Sequence, residues 1–261
     1  MSVIQEYISL SKKIADTVAA QEANIKQAAS WFAQTILQQR MVHVFGSGHS
    51  RIMVEEMWPR YGSFPGFNPI VELSLTFHNL VVGANGQRQA MFLENVSGLA
   101  DRILRNFDIS SIDSALIISS SGTNIVPVEM AELFQQQKVK VVSIITQQHS
   151  AKSQSKRSDG KKLSDFSDLV LDTGAPVGDS MIYINGLETP VAPGSTVGGA
   201  MLINCIKAEV ARLLTEAGQP PKVLTATNVV SKERATQLFE SAYDEHAHRL
   251  AKLYEHVGTK K

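Results

Sequence analysis

The run Met41-Val42-His43-Val44-Phe45, closed at once by Gly46-Ser47-Gly48, constrains the fold more than any other stretch of this sequence. A short apolar run without alternation, ended by glycines, reads as a strand buried on both faces, and such strands belong to parallel sheets covered by helices. The pattern recurs. Ile70-Val71-Glu72-Leu73 is a weak second copy, Ser114 to Ile118 and Val139 to Ile145 are strong ones, and Asp168-Leu169-Val170-Leu171 is a fifth. Residues 89–107 and 125–137 carry helical spacing, so the middle of the chain reads β-α-β-α. The expectation is an α/β fold, a three-layer α/β/α sandwich on a five-stranded parallel sheet. Right-handed crossovers then place the loops that follow the strands along one sheet edge, where open α/β folds bind ligands.

The two ends of the chain read differently. Ile4, Ile8, Ile14 and Val18, then Ile25, Ala28, Ala29, Phe32 and Ile36, keep helical spacing and predict one or two amphipathic helices. Met181–Asn185 and Glu188–Val191 flank Gly186 and predict a short hairpin turning at Asn185-Gly186, a pair suited to a type I′ turn. A long helix is expected from Ser195, as N-cap after Pro193-Gly194, to Ala217, and a last one after Ser231. The whole is expected to form one domain over residues 1–261, with N-terminal helices to residue 40, a core over 41–218 and a C-terminal helical extension over 219–261.

Charge excludes one class of partner. Lys and Arg number 25 against 25 Asp and Glu, giving a formal net charge of zero, whereas a protein that neutralises several phosphates of a nucleic acid usually shows a basic excess. The one biased stretch, Lys152 to Lys162, sets five basic residues against Asp159; it reads as a solvated loop or as a phosphate-contacting segment. Cys205, the single cysteine, cannot form an intramolecular disulfide and is expected to be a buried small side chain in a helix. No apolar stretch has the length of a signal peptide or a membrane span, so a reducing, cytoplasmic setting without a membrane partner is expected.

Two loops carry the chemistry. Gly46-Ser47-Gly48-His49-Ser50 follows the first strand and precedes a helix, an arrangement that suits an anion. It is not a dinucleotide fingerprint, because Arg51 stands at the third glycine position, and no G-x-x-x-x-G-K-[ST] occurs in the chain. Ser119-Ser120-Ser121-Gly122-Thr123-Asn124 follows the run ending at Ile118, again before a helix. Hydroxyls and a glycine at a helix start supply the donors that a phosphoryl group with three acceptor oxygens requires. Helix capping explains one or two of these serines but not the run. His246 and His248 lie two apart on a predicted helix and face different ways, and no H-x-x-x-H or G-x-S-x-G occurs, so neither a metal, a cofactor nor a serine-hydrolase elbow is expected.

Gly46 to Ser50 together with Ser119 to Gly122 resemble the paired signatures of the sugar isomerase (SIS) domain, found in phosphoheptose isomerase and the N-acetylmuramic acid 6-phosphate etherases. The chain is most similar to the bacterial stand-alone SIS proteins, through Glu55-Glu56-Met57, Leu75 to His78, Pro127 to Ala131, Thr146 to Ser150, Pro193 to Thr196 and Pro220-Pro221. The resemblance implies that Ser119, Ser121, Thr123 and the Gly122 amide hold the phosphate of a sugar phosphate, while Ser47, Gly48 and Ser50 face the same pocket. Asn124 departs from the S-x-S-G-x-[ST] of many isomerases, replacing a hydroxyl by an amide that can still donate. Shared active sites between subunits are also implied, and the terminal helices carry apolar faces beyond what one sheet needs, so a homodimer or larger homo-oligomer is expected.

Aldose–ketose isomerisation needs a base to move a proton between neighbouring carbons and an acid/base partner to open the ring. The candidates are Glu56, His78, Glu94 and, on the long helix, Glu209. Glu56-Met57-Trp58-Pro59 resembles the Glu-Cys-Pro-Pro segment of the etherases, yet Glu56 is equally placed to pair with Arg60 one turn on. Two other functions use the same pocket: lysis of an N-acetyl sugar phosphate, with Glu56 as acid/base, and non-catalytic sensing, which needs no carboxylate.

Overall fold

The computed structural model describes residues 1–76 and 86–257. Two helices, α1 (Val3–Ala19) and α2 (Glu22–Leu37), lead into β1 (Val42–Gly46), α3 (Arg51–Met57), β2 (Phe67–Ile70) and α4 (Leu73–Thr76). Then come α5 (Gln87–Leu93), α6 (Leu99–Leu104), β3 (Ser114–Ile118), α7 (Ile125–Gln136), β4 (Lys140–Ile145), α8 (Gln147–Lys152) and β5 (Leu169–Asp172). A short pair, β6 (Ser180–Ile182) and β7 (Val191–Pro193), precedes α9 (Ser195–Glu216) and α10 (Lys232–Tyr254).

The main sheet is parallel throughout, in the order β2-β1-β3-β4-β5. Each strand feeds two cores, which is why its apolar run is continuous. Val42 and Val44 of β1, Leu116 and Ile118 of β3, and Val142 and Ile144 of β4 pack under α2, α3 and α9. The alternate positions Phe45, Ala115, Ile117, Val141 and Ile145 pack on the opposite face beneath α6 and α7. α9 crosses the end of β5 so closely that a Cβ on Gly198 would lie 1.9 Å from the Thr173 carbonyl oxygen, so only glycine permits this contact.

Four boundaries differ from the sequence reading. The second strand starts at Phe67 rather than Ile70; its burial comes from pairing Phe67 with Val42 of the central strand β1. The helical stretch from residue 89 is split into α5 and α6, because Ser97 Oγ and the Gly98 amide donate to the Glu129 carboxylate of α7, a cap supplied from another helix. The hairpin is looser than expected: Ile182 pairs with Val191, and the strands stop short of Asn185-Gly186. A type I′ turn needs positive φ at both central residues, and of this pair only Gly186 has it, at φ 90°. At the start of α9 the N-cap is Gly194, not Ser195, and Cys205 is exposed rather than buried.

Candidate functional site

Strand order decides where the chain can build a site. From β1 it moves outward to β2, then returns past β1 to β3, so β1 and β3 flank the switch point at which an open α/β sheet leaves a crevice. Gly46 is in register with Ile118, so the two glycine- and hydroxyl-bearing loops start side by side. Between them lies a cavity of about 540 Å³, of the size that takes a small metabolite.

Ser47, buried at the end of β1, donates from Oγ to Glu94 Oε2 at 2.8 Å. Glu94 follows the last residue of α5, and its carbonyl accepts the Val126 amide of α7 at 2.9 Å, which fixes the end of one helix to the start of the other. Burial pushes the Glu94 carboxyl above its ordinary value; the Ser47 hydroxyl, the Lys156 charge and the Asn124 amide only partly oppose this. The Glu94 side chain is thereby a carboxyl of raised basicity facing a cavity.

The second loop is organised by its own hydroxyls. Ser119 Oγ accepts the Gly122 amide at 3.2 Å, and Ser121 Oγ accepts both the Thr123 amide at 3.3 Å and the Thr123 hydroxyl at 2.9 Å. Gly122 makes the turn at φ 63°, in the left-handed region. These bonds leave the Ser119 and Ser121 hydroxyl protons available to a ligand, and Ser119, Ser120, Ser121 and Asn124 line the cavity. Thr123 is buried and does not line it, and the Gly122 amide is engaged inside the loop. Both differ from the expected direct contacts, because the loop uses these groups to orient Ser121 and Ser119. Ser47, Gly48 and Ser50 are on the cavity wall.

The far wall escaped the sequence reading. Thr146 Oγ1, at the end of β4, bridges Ser120 Oγ (3.3 Å) and Thr173 Oγ1 (2.7 Å), joining three strand ends by hydroxyls. Asp179, at φ 71°, accepts from the Gly194 amide (3.0 Å), the Ser195 amide (2.6 Å) and the Ser195 hydroxyl (2.8 Å), and so caps α9 where a negative charge is favoured. The adjacent Gly178 amide donates to His149 Nδ1 at 3.1 Å, so the neutral imidazole carries its proton on Nε2. His149, Asp179, Ser195 and Thr196 all line the cavity. The available signal was positional: the loops after β4 and β5 end on the same sheet edge as the two recognised loops.

The remaining candidates lie elsewhere. Glu56 does not line the cavity; its carboxylate accepts from Asn204 Nδ2 at 2.7 Å and from Arg60. Burial raises its pKa, but Asn204 and Arg60 outweigh burial and leave it below the ordinary value. Glu209 pairs with Arg212 on the outer side of α9, which lowers it. His78 falls outside the described residues.

Comparison with known proteins agrees with this architecture. The family model for the SIS domain matches residues 6–146, more than half of the chain. A UPF0309 protein of Listeria innocua is 31% identical over 244 residues, covering 93% of this chain and 96% of its own. Another, from Halalkalibacterium halodurans, is 32% identical over 229 residues, covering 87% and 92%. Among solved structures, a phosphoheptose isomerase from Francisella tularensis superposes with a TM-score of 0.50 at 14% identity, covering 80% of this chain and 96% of its own, a likeness of fold.

Proposed function

The chain belongs to the SIS domain family, and from that premise we propose that its cavity binds a singly phosphorylated sugar and interconverts the aldose and ketose forms with Glu94 as the base. One observation carries the reading: a carboxyl of raised pKa and two hydroxyl-rich loops converge on one cavity at the switch point of the sheet. The phosphoryl group sits against Ser119, Ser121 and Asn124, at the start of α7, where amides and hydroxyls donate to it. With the phosphoryl group held there, the proposed sugar carbons lie towards Glu94.

In the open-chain sugar, the Glu94 carboxylate takes the proton from the carbon next to the carbonyl, and an enediol forms as the carbonyl oxygen is protonated. Return of the carbon-bound proton from Glu94 to the neighbouring carbon, with the proton of the other enediol oxygen passing back to the His149 imidazole that protonated the first, forms the new carbonyl and completes the exchange. A carboxyl whose basicity is raised by burial removes a carbon-bound proton more readily than a solvated one. His149 presents Nε2–H as the donor for oxygen, since its Nδ1 is engaged by Gly178. A lyase using Glu56 is disfavoured, because that carboxylate is tied to Arg60 and Asn204 away from the cavity.

Self-association belongs to the same proposal. Ile4 and Ile8 of α1 are 70% and 46% exposed, and an apolar groove of about 620 Å³ between α1, α2 and α9 exposes Met201 and Cys205. A second copy covering this face is expected to give a dimer or larger assembly by light scattering; a monomer at all concentrations removes it.

A thermal-shift screen against phosphorylated hexoses, heptoses and N-acetyl sugars, followed by an isomerisation assay, tests the central reading. A bound sugar phosphate raises the melting temperature. No shift with any of them overturns phosphosugar binding, and binding without turnover makes the protein a sensor instead.

A further inference from the structure

The cavity offers hydroxyls and carboxylates, and among the described residues no Lys or Arg lines it. A phosphoryl group brings about 1.5 to 2 negative charges at neutral pH, and Glu94 adds another when ionised. Two anions in one partly buried cavity repel each other unless a cation is within reach of both.

The basic segment between α8 and β5 is fastened to the serine loop. The Lys156 amide donates to the Thr123 carbonyl at 3.1 Å, and the Leu163 amide to the Gly122 carbonyl at 2.8 Å. Three other cations of the segment are engaged: Arg157 pairs with Glu132 and Asp159, Lys161 lies over the Phe166 ring, and Lys162 Nζ donates to the Ser150 carbonyl at 2.6 Å. Lys156 is exposed and makes no ion pair among the described residues. Its backbone bond holds it next to the loop that ends in Asn124, and its charge reaches Glu94, whose pKa it lowers.

We propose that Lys156 is the counter-charge for the phosphoryl group held on the Ser119–Asn124 loop, and that it selects phosphorylated over neutral sugars for a cavity whose described lining carries no Lys or Arg. This rests on the reading of the cavity as a phosphosugar site. The segment thereby has two jobs: its backbone fixes the loop that donates to the phosphoryl group, and one side chain balances the charge.

Isothermal titration with glucitol 6-phosphate, which cannot isomerise, tests the proposal on wild-type protein, Lys156→Gln, Lys156→Arg and Lys152→Gln. At low salt Lys156→Gln is expected to bind about fivefold more weakly, the size of a partly exposed charge pair. The difference is expected to shrink at high ionic strength, because exposed charges are screened. Lys156→Arg should keep most of the affinity and Lys152→Gln all of it. With a substrate found by the screen, the acid limb of the kcat profile should move to higher pH in Lys156→Gln, as Glu94 loses a nearby cation. Equal affinity of Lys156→Gln and wild type at both salts overturns the role of Lys156 alone, as does an equal loss in Lys152→Gln, which would mark a net-charge effect. Folded wild-type protein that binds neither glucitol 6-phosphate nor any sugar phosphate overturns the cavity reading and this inference together.

Discussion

Strands β1 and β3 carry a polar cluster at each end, and the two are built to opposite rules. At the amino end, His43 Nδ1 accepts from Asn68 at 3.0 Å while Nε2 lies 3.2 Å from Asp113, which also accepts from Arg40 Nε at 2.7 Å and the Ser110 amide at 2.9 Å. His43 and Asp113 are 0% and 1% exposed, with the imidazole against Phe134. Burial raises the Asp113 pKa, but His43 and Arg40 outweigh it and lower the value overall. At the carboxyl end, Glu94 has a partner in Ser47 but faces a cavity, and burial wins. An Asp–His contact in a sealed network fits a structural role; a carboxyl less completely paired, with room for a ligand, is the one we propose as functional.

Glu94→Gln is the sharpest probe of that contrast. Turnover is expected to fall by about 10² to 10⁴-fold while phosphosugar binding survives, read by kcat and by thermal shift. Asp113→Ala reverses the pattern: it strips the buried His43 and the partly buried Arg40 of their partner and is expected to cost about 3 to 5 kcal/mol in urea denaturation, with activity per folded molecule retained. A loss of activity without loss of stability in Asp113→Ala would erase the distinction between the two ends.

The two carboxyls also respond to pH with opposite sign. The pKa of Asp113 is depressed, so its contribution is complete above the ordinary aspartate value and is lost as pH falls through the folded value. The pKa of Glu94 is raised, so its protonated form favours folding and stability declines as pH rises from the ordinary glutamate value through the folded one. Glu94→Gln is therefore expected to melt no lower than wild type at neutral pH, and a lower melting point there would contradict a burial-raised pKa. Ser121→Ala should weaken phosphosugar binding about three- to tenfold by calorimetry, since it removes one donor and loosens Thr123. Glu56→Gln is expected to leave kcat unchanged and to cost about 1 kcal/mol, as for a partly exposed ion pair. A collapse of turnover there would return catalysis to Glu56.

The readable features were those whose signal is local. The runs at β1, β3, β4 and β5 are continuous because both faces are buried, and the hydroxyls of residues 119–123 stand together in sequence. Glu94 was one of four candidates, indistinguishable along the chain from a solvated glutamate. What sets it apart is Ser47 and Lys156, which come from other loops. Thr123 looked like a ligand contact because spacing does not show that a hydroxyl turns inward to its neighbour. His149 and Asp179 gave no motif, since their roles arise only where Gly178 and the start of α9 meet.

The sequence by itself determined the layer architecture, the family and the two loops at the sheet edge, because apolar periodicity and glycine- and hydroxyl-rich turns act over a few residues. The tertiary structure decided which carboxyl is buried at the cavity and which is tied off, where the far wall lies, and where one lysine of the basic segment meets the serine loop. Burial and charge are set by neighbours distant in sequence, and a side chain's chemistry is fixed only once they have assembled.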